Sequence, residues 1–191
     1  MKRKIFSAIF VLIVLSMVAS CNSRDKIGKE MKAFYGSCIE LPTDSMINVS
    51  PRPLAEMYKY ARYIYIMYVD STSCSDCVIS KLTDWSQLNL TDAFKKGILR
   101  YMLIVAPKQH QRMHVLNIIK RDSLFNKYVY IDTTGIFERK NPNLPTNKHL
   151  RTFLVNKQKN VKLIGNPRAN EKIKNMLIKI LYSDQKEGRS H

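Results

Sequence analysis

The chain has 191 residues, of which 45% are apolar and 25% are charged. This composition is typical of one globular domain with short extensions, and it excludes a fibrous or wholly disordered protein. The six glycines form neither of the phosphate-binding patterns G-x-x-x-x-G-K and G-x-G-x-x-G, and no segment repeats at a period of roughly 20 to 50 residues. Phosphate-binding loops of these kinds and solenoid architectures are therefore not expected.

Residues 1–20 have the layout of a secretory signal peptide. Lys2, Arg3 and Lys4 form a positive start, and residues 5–18 are an almost wholly apolar run. That run is shorter than the roughly 20 apolar residues that span a bilayer, and polar sequence follows it closely. We therefore expect cleavage and export, with an uncleaved anchor helix as the alternative.

The tetrapeptide Val18-Ala19-Ser20-Cys21 directly follows this apolar run. It resembles the lipobox of bacterial lipoproteins, which implies cleavage before Cys21 and acylation of this cysteine as the new N-terminus. Two or more acyl chains anchor a protein stably, whereas one chain binds only marginally. Asn22 is not the acidic residue that retains lipoproteins at the inner membrane in the best-known sorting system. The expected location is therefore the cell envelope, facing the periplasm and held at the outer membrane.

Three cysteines remain beyond the lipobox, namely Cys38, Cys74 and Cys77. A disulfide framework in an oxidising compartment normally uses an even number of cysteines spread along the chain. Two thiols three residues apart, with one left over, indicate redox chemistry rather than structural cross-linking. We interpret Cys38 as a buried or idle thiol, with transient pairing to the other two as the alternative.

The segment Cys74-Ser75-Asp76-Cys77 lies between a predicted strand and a predicted helix. Residues 63–69, YIYIMYV, are rich in aromatic and β-branched side chains, which is typical of a buried strand. After the second thiol, apolar residues recur at helical spacing, and the residues that form this stripe are Val78, Leu82, Trp85 and Leu88. Thr72 or Ser73 is a suitable N-cap for that helix.

Cys74 is thereby predicted in the first turn of a helix. Unpaired backbone N–H groups and the helix dipole stabilise a thiolate there, which lowers the pKa of a cysteine from about 8.5. Asp76 adds a nearby negative charge that opposes the thiolate, so we expect a depressed but not extreme pKa. Cys77, one turn further along, is placed to attack a mixed disulfide formed at Cys74.

The alternation of strands and helices continues along the chain. Residues 99–106 and 128–132 are predicted strands, and a helix is predicted to start at Pro107 with Met113, Leu116 and Ile119 on one face. Residues 151–156 and 161–165 flank a polar tetrapeptide of hairpin length. A final helix is predicted, and its apolar stripe consists of Ile173, Leu177, Ile180 and Leu181. Such an order predicts an α/β fold with a mixed sheet and helices on its faces.

The element order and the position of the two thiols resemble the thioredoxin fold, in particular the envelope thiol-disulfide oxidoreductases of the TlpA and ResA type. The segments that carry the resemblance are strand 63–69, the Cys74-Ser75-Asp76-Cys77 turn with its helix, strand 151–156, Gly165-Asn166-Pro167, and the extension 36–42. The resemblance implies a thioredoxin-like fold with a central mixed β-sheet flanked by helices and an N-terminal extension. It also implies disulfide exchange with protein partners through Cys74 and Cys77, without a cofactor.

The chain departs from this family at several positions. Ser73 occupies the usual tryptophan position before the first thiol, and the position of the family's cis-proline falls on Leu150. Tyr68 occupies the position where thioredoxins often have a buried acid, and Asp70 is predicted to lie in the loop. These departures favour a second hypothesis, in which the fold is a non-catalytic binding or structural module.

Other motifs are assigned ordinary roles. His110 and His114 have the spacing of a zinc site on a helix, but Gln111 lies where a metalloprotease has glutamate, so we interpret them as a solvated pair. The three cysteines lack a fourth local ligand for a soft metal. The formal net charge of +17 falls to +14 without the three cations of the signal segment. The lysines are dispersed and the chain is predicted to be exported, so no nucleic-acid partner is expected.

The predicted organisation has four parts. They are a lipoprotein signal peptide (1–20), a lipidated N-terminus and linker (21–33), a thioredoxin-like domain (34–182) and a polar tail (183–191). Membrane attachment is expected through Cys21. The oligomeric state and the direction of electron flow are left open by the sequence.

Overall fold

The structure, a computed structural model, describes residues 25–50, 57, 59, 61–70, 90–121 and 128–187. The strands are β1 (Ile47–Asn48), β2 (Tyr63–Val69), β3 (Leu99–Val105), β4 (Tyr128–Ile131), β5 (Thr152–Asn156) and β6 (Val161–Ile164). The helices are α1 (25–34), α2 (Thr91–Lys95), α3 (Arg112–Arg121), α4 (Ile136–Lys140) and α5 (Glu171–Glu187). The predicted signal peptide, Cys21, the turn with Cys74 and Cys77, and the helix predicted after it lie outside the described residues.

The six strands form one mixed sheet in the order β1-β4-β3-β2-β5-β6. Strands β2, β3 and β4 run parallel to one another, whereas β1, β5 and β6 each pair antiparallel with a neighbour. Strand β2 lies at the centre and is paired along its length with β3, from Tyr63 opposite Leu99 to Val69 opposite Val105. The predicted mixed sheet is therefore confirmed.

Both faces of the sheet are covered, because all seven residues of β2 are buried. On one face, Tyr65 and Met67 lie in a core with Val115 of α3 and Leu177 of α5. On the opposite face, the alternate residues of β2 lie in a second core with Phe34 and Phe137. A strand buried on both sides has no polar alternation, which is why YIYIMYV reads as a continuous apolar run.

The predicted strands agree with the structure to within one residue, but the helix after β3 differs from its prediction. It does not start at Pro107, because Lys108 is extended and a 3₁₀ turn at Gln109–Gln111 precedes α3. Met113 of the predicted apolar face is 69% exposed, whereas Ile119 of the same face is buried, and Val115 is buried as well. Leu116 is partly buried against the core, so two of the three predicted positions face it.

Both ends of the described chain are helical. Helix α1 occupies residues 25–34, most of the segment predicted as a linker, and its Phe34 packs edge-on against Phe153 with ring centroids 4.9 Å apart. Glu30 accepts hydrogen bonds from the Thr146 hydroxyl and the Asn147 backbone N–H, and the bond from Thr146 is the main cause that lowers the pKa of Glu30. Helix α5 continues to Glu187, into the segment predicted as a polar tail.

Residues 36–39 run beside β6 and cover that edge of the sheet. The N–H of Gly36 donates to the carbonyl of Val161 (3.0 Å), and the N–H of Ile39 donates to the carbonyl of Lys159 (2.9 Å). An uncovered strand edge is a template for unwanted pairing with another chain. Residues 36–39 therefore pair with the first residue of β6 and with the turn that precedes it.

Gly165 lies where the chain leaves β6 toward α5, and a residue with a side chain does not fit this position. Its φ of +114° is a conformation that residues with a side chain rarely adopt. An added Cβ would also clash with Cδ1 of Ile173 in α5. The buried Tyr65 hydroxyl donates a hydrogen bond to the Gly165 carbonyl, so a shift of this turn would disturb the core as well.

We predict that Gly165→Ala lowers the free energy of unfolding by about 2 kcal/mol or more, because it combines an unfavourable φ with overpacking. Gly28→Ala is the matched control, since Gly28 lies in α1 with nothing near its hypothetical Cβ. The control should stabilise the protein by roughly 0.5 to 1 kcal/mol. Urea unfolding of both variants checks this, and equal effects of the two substitutions would contradict the assigned role of Gly165.

Candidate functional site

The C-terminal ends of the parallel strands β2, β3 and β4 meet at one edge of the sheet, which we call the carboxyl edge. Asp70 follows β2, Asp132 follows β4, and the segment 141–151 that leads into β5 reaches the same edge. In open sheets with parallel strands, ligands and reactive groups collect at this edge. Asp70 is the last described residue before the predicted dithiol turn, which itself lies outside the described residues.

Arg151 is the buried centre of an ionic cluster at the carboxyl edge, in which Asp70 is also buried, whereas Glu138 and Lys148 are 49% and 47% exposed. Its guanidinium donates to Oδ2 of Asp70 at 2.8 Å, to Oε1 of Glu138 at 2.7 Å, and from Nε to the Pro145 carbonyl at 2.7 Å. Lys148 Nζ lies 3.5 Å from the other oxygen of Asp70. We call Asp70, Glu138, Lys148 and Arg151 the Arg151 cluster. Its two carboxylates and two cations balance in charge.

The local backbone explains why a charged residue is buried at this point. A 3₁₀ turn at Lys148–Leu150 precedes β5, and Asn147 begins it by accepting the His149 N–H on its side chain. The Arg151 carbonyl then accepts the N–H of Tyr68 at 2.9 Å, which extends the pairing of β5 with β2. Arg151 is therefore held against β2 by its backbone, with its guanidinium 5.5 Å from the Tyr68 ring centroid.

Glu138 is brought to Arg151 by α4, and Asp132 fixes where α4 begins. The Asp132 carboxylate, which is 1% exposed, accepts the backbone N–H groups of Ile136 at 3.0 Å and Phe137 at 2.9 Å. These are N–H groups that have no partner within a helix, so a carboxylate there both satisfies them and complements the dipole. Asp132 thus has a structural role, and the position of Glu138 depends on it.

Tyr68 lies at the position where thioredoxins often have a buried acid. Its side chain is buried, and its hydroxyl lies 3.4 Å from Oε2 of Glu138. Burial, followed by the negative charge of Glu138, raises the pKa of Tyr68 well above its ordinary value of 10. The phenol is therefore neutral at physiological pH and cannot accept a proton there.

Leu150 lies at the expected position of the family's cis-proline. The described part of the chain contains no cis peptide bond, so the Leu150 peptide is trans. The segment before β5 is instead held by the contacts of Arg151 and by the hydrogen bonds from Thr146 and Asn147 to Glu30 of α1. Charged and polar contacts therefore fix this segment without a cis-proline at position 150.

Of the four cysteines, only Cys38 lies among the described residues. Cys74, Cys77 and the lipidation candidate Cys21 lie outside the described residues. Asp70 precedes Cys74 by four residues, and an extended chain rises at most about 3.6 Å per residue, so their Cα atoms lie within about 14 Å of each other.

Cys38 is exposed, so the prediction that it is buried is wrong, whereas the prediction that it is idle stays a prediction. It forms an isolated bridge with Asn160, and its Sγ lies 3.7 Å from the carbonyl oxygen of Gln158. Both partners belong to the turn between β5 and β6, at the far end of β5 from Arg151. Cys38 is exposed because residues 36–39 pair with the sheet edge through backbone groups, which does not require the side chain to be buried.

Sequence reasoning missed the Arg151 cluster. The signal was present, because Arg151 is a charged residue at the start of the otherwise apolar run TFLV in the predicted strand 151–156. Its acceptors, Asp70 and Glu138, lie 81 and 13 residues away along the chain. No local periodicity connects such partners.

The structure also describes the two histidines that have the spacing of a zinc site. The His110 and His114 side chains are both exposed. Within residues 25–187, as far as they are described, no group of three or more His, Cys, Asp and Glu side chains could hold a metal ion. In the same part of the chain, no helix has the length and apolar character needed to cross a bilayer.

Comparison with known proteins supports the fold and adds no sequence relative. No protein-family model matches the chain. No curated protein matches it either. A crystal structure from Chlorobium tepidum, provisionally named thiol:disulfide interchange protein DsbE, matches with a TM-score of 0.51 and 12% identity, over 77% of this chain and 97% of that one.

Two further solved structures match at lower scores. An exposed lipoprotein thioredoxin from Streptococcus pneumoniae matches with a TM-score of 0.44 and 14% identity, over 72% of this chain and 98% of that one. A thioredoxin-like protein from Bacteroides caccae matches with a TM-score of 0.41 and 15% identity, over 63% and 42% of the two chains. The chain resembles thioredoxin-like proteins in structure, and the predicted thioredoxin-like fold is confirmed.

Proposed function

We propose that this protein is a membrane-anchored envelope thiol-disulfide oxidoreductase that exchanges disulfides with protein partners through Cys74 and Cys77. The observation that carries the proposal is the exit of the central strand β2 at Asp70, on the carboxyl edge of a thioredoxin-like sheet, four residues before the first thiol. The matched structure from Chlorobium tepidum, whose name describes disulfide interchange, has the same fold and supports this assignment.

The proposed reaction consists of two exchange steps. The Cys74 thiolate attacks one sulfur of a partner disulfide, forms a mixed disulfide and releases the other partner sulfur as a thiolate. The Cys77 thiolate then attacks the Cys74 sulfur and releases the second partner thiolate, so the partner gains two electrons and Cys74–Cys77 becomes a disulfide. The same steps run in reverse when the partner is a dithiol. The reduction potentials of the two pairs determine the direction.

A non-catalytic module on the same fold is the competing candidate, and one observation favours it. Leu150 and Arg151 replace the proline-containing turn that the resemblance to thioredoxins implies beside the thiols, and Arg151 is fully engaged with Asp70, Glu138 and Pro145. In this alternative, Cys74 and Cys77 form a stable bond, and the carboxyl edge binds a partner without electron transfer. The two candidates differ in whether a mixed disulfide ever forms.

The first test is the capture of mixed disulfides in cells. In Cys77→Ser, the resolving thiol is absent, so partner proteins should remain attached to Cys74 and appear as adducts that a reductant removes. Cys38→Ser/Cys77→Ser should retain the adducts, because Cys38 lies at the far end of β5. Cys74→Ser/Cys77→Ser is the matched negative control. If Cys77→Ser and this control give identical patterns on non-reducing gels, the redox function is wrong and the binding module is favoured.

We also propose that acylation of Cys21 anchors the domain at the periplasmic side of the outer membrane. Only residues 22–24 separate Cys21 from α1, and Glu30 and Phe34 of α1 are packed onto the domain. So short a connection would keep the domain close to the lipid headgroups. The name of the pneumococcal structure describes an exposed lipoprotein, which is consistent with such an arrangement.

Cys21→Ala tests the anchor. Without the acceptor thiol, acylation and the cleavage that depends on it should fail, and the unprocessed chain should run more slowly on a denaturing gel. Labelling with a radioactive fatty acid should be lost, whereas Cys38→Ser should label like the parent protein. Unchanged processing and labelling in Cys21→Ala would contradict the lipoprotein assignment and leave the redox proposal untouched.

A further inference from the structure

Helix α1 has its lysines on the outside and one of its two acids against the domain. Lys26, Lys29 and Lys32 recur every three residues and are all exposed. Glu30 instead accepts hydrogen bonds from the segment before β5, and Phe34, four residues later on the same side of the helix, is fully buried. The other acid of α1 is its first residue. The outer side of α1 therefore carries an excess of positive charge.

Two further lysines belong to the turn between β5 and β6, which adjoins the end of α1. The chain after α1 is paired with this turn, because the Ile39 N–H donates to the Lys159 carbonyl at 2.9 Å and Cys38 forms a bridge with Asn160. Lys157 is exposed and Lys159 is partly exposed, and neither of the two paired segments contains an acid. The fold thus brings together lysines that are dispersed along the sequence. We call the five residues Lys26, Lys29, Lys32, Lys157 and Lys159 the lysine surface.

Two large apolar side chains are exposed beside these lysines. Tyr35 is 61% exposed and Met31 is 37% exposed. The Tyr35 N–H donates to the Met31 carbonyl at 2.9 Å, so the helical turn continues and the two side chains are neighbours. Tyrosine is enriched where a membrane meets water, because its ring is apolar and its hydroxyl is polar. Lysines next to exposed apolar side chains on one side of a helix are typical of surfaces that lie on a membrane.

We propose that the lysine surface, together with Tyr35 and Met31, lies on the anionic headgroups of the membrane that carries the protein. The inference deepens the proposed membrane anchoring and rests on it for the choice of partner, because an anchor at Cys21 would precede α1 by only three residues. Each lysine close to an anionic lipid surface strengthens binding by about fivefold. Docking would give the domain one orientation at the membrane in place of free rotation about its linker.

Cys38 serves as a natural probe of this docking, because it is exposed and lies between α1 and the β5–β6 turn. The reduced protein, carrying Cys74→Ser/Cys77→Ser, is mixed with excess vesicles of phosphatidylcholine alone or of phosphatidylcholine and phosphatidylglycerol in equal amounts. Alkylation of Cys38 by an uncharged, polymer-linked maleimide is followed by peptide mass spectrometry. The anionic vesicles should slow alkylation by about fivefold or more relative to the neutral vesicles. High salt should reverse this protection, because it screens the lipid charge.

The lysines of α1 are tested by two substitutions that differ in charge. Lys26→Gln/Lys29→Gln/Lys32→Gln removes three positive charges and should return alkylation in anionic vesicles to the rate in neutral vesicles. Lys26→Arg/Lys29→Arg/Lys32→Arg keeps the charges and should retain the protection of Cys38. All three positions are exposed, and thermal unfolding of each variant checks that it is folded at the assay temperature.

Helix α5 provides the matched control, because it packs on the opposite face of the sheet through Leu177. Lys172→Gln/Lys174→Gln/Lys179→Gln removes the same number of charges from α5 and should leave the protection of Cys38 intact. A second probe, Met113→Cys, places a thiol on α3 at a position that is 69% exposed on the same face as α5. Its alkylation should be equal in the two kinds of vesicle.

Two results would overturn the proposal: equal alkylation of Cys38 in neutral and anionic vesicles, or equal loss of protection in the glutamine variants of α1 and α5. Protection by soluble polyglutamate but not by vesicles would identify an acidic polypeptide as the partner and overturn the assignment to lipid. Flotation with neutral vesicles tests the anchor separately. If the protein does not float, the proposed acylation fails, and alkylation of Cys38 with excess anionic vesicles still decides whether the lysine surface binds lipid.

Discussion

The pairing of Arg151 with Asp70 is the contact on which the arrangement of the carboxyl edge depends. It joins the end of the central strand to the segment before β5, and through Glu138 it adds α4. Loss of one partner from a buried ion pair typically costs about 3 to 5 kcal/mol, because the other charge is left without compensation. Replacement of the whole cluster by apolar residues could be neutral for stability, so the cluster is not explained by stability alone.

Two further contacts make the same segment rigid. Glu30 of α1 accepts from Thr146 and Asn147, and Asp132 holds the start of α4 so that Glu138 reaches Arg151. Helix α1, most of which was predicted to be a linker, therefore helps to hold the segment before β5. The resemblance to thioredoxins places a cis-proline beside the thiols, and here Leu150 is followed by a network of side-chain and backbone hydrogen bonds.

The sequence was sufficient to predict the sheet but not the Arg151 cluster. The strands are encoded by local patterns, whereas the cluster depends on contacts between residues that are distant along the chain. Strands such as Tyr63–Val69 and Thr152–Asn156 are encoded locally, by continuous apolar and β-branched runs that any buried strand requires. The start of α3 was mispredicted because a 3₁₀ turn, which leaves little trace in the sequence, precedes the helix, and Met113 in its first turn is exposed. Arg151 and Asp70 lie 81 residues apart, and their contact follows from the register between β5 and β2. The exposure of Cys38 likewise results from the pairing of residues 36–39 with β6, far along the chain.

The most direct test of the central claim is the reduction potential of the Cys74–Cys77 pair. The mature protein carrying Cys38→Ser is equilibrated with glutathione buffers of graded potential, and the oxidised fraction is measured by thiol alkylation. The account predicts one reversible two-electron transition within the range of roughly −270 to −120 mV that thioredoxin-like oxidoreductases cover. If the Cys74–Cys77 pair stays oxidised, or stays reduced, at every potential of the glutathione buffer, the account is contradicted and the fold is identified as a binding module.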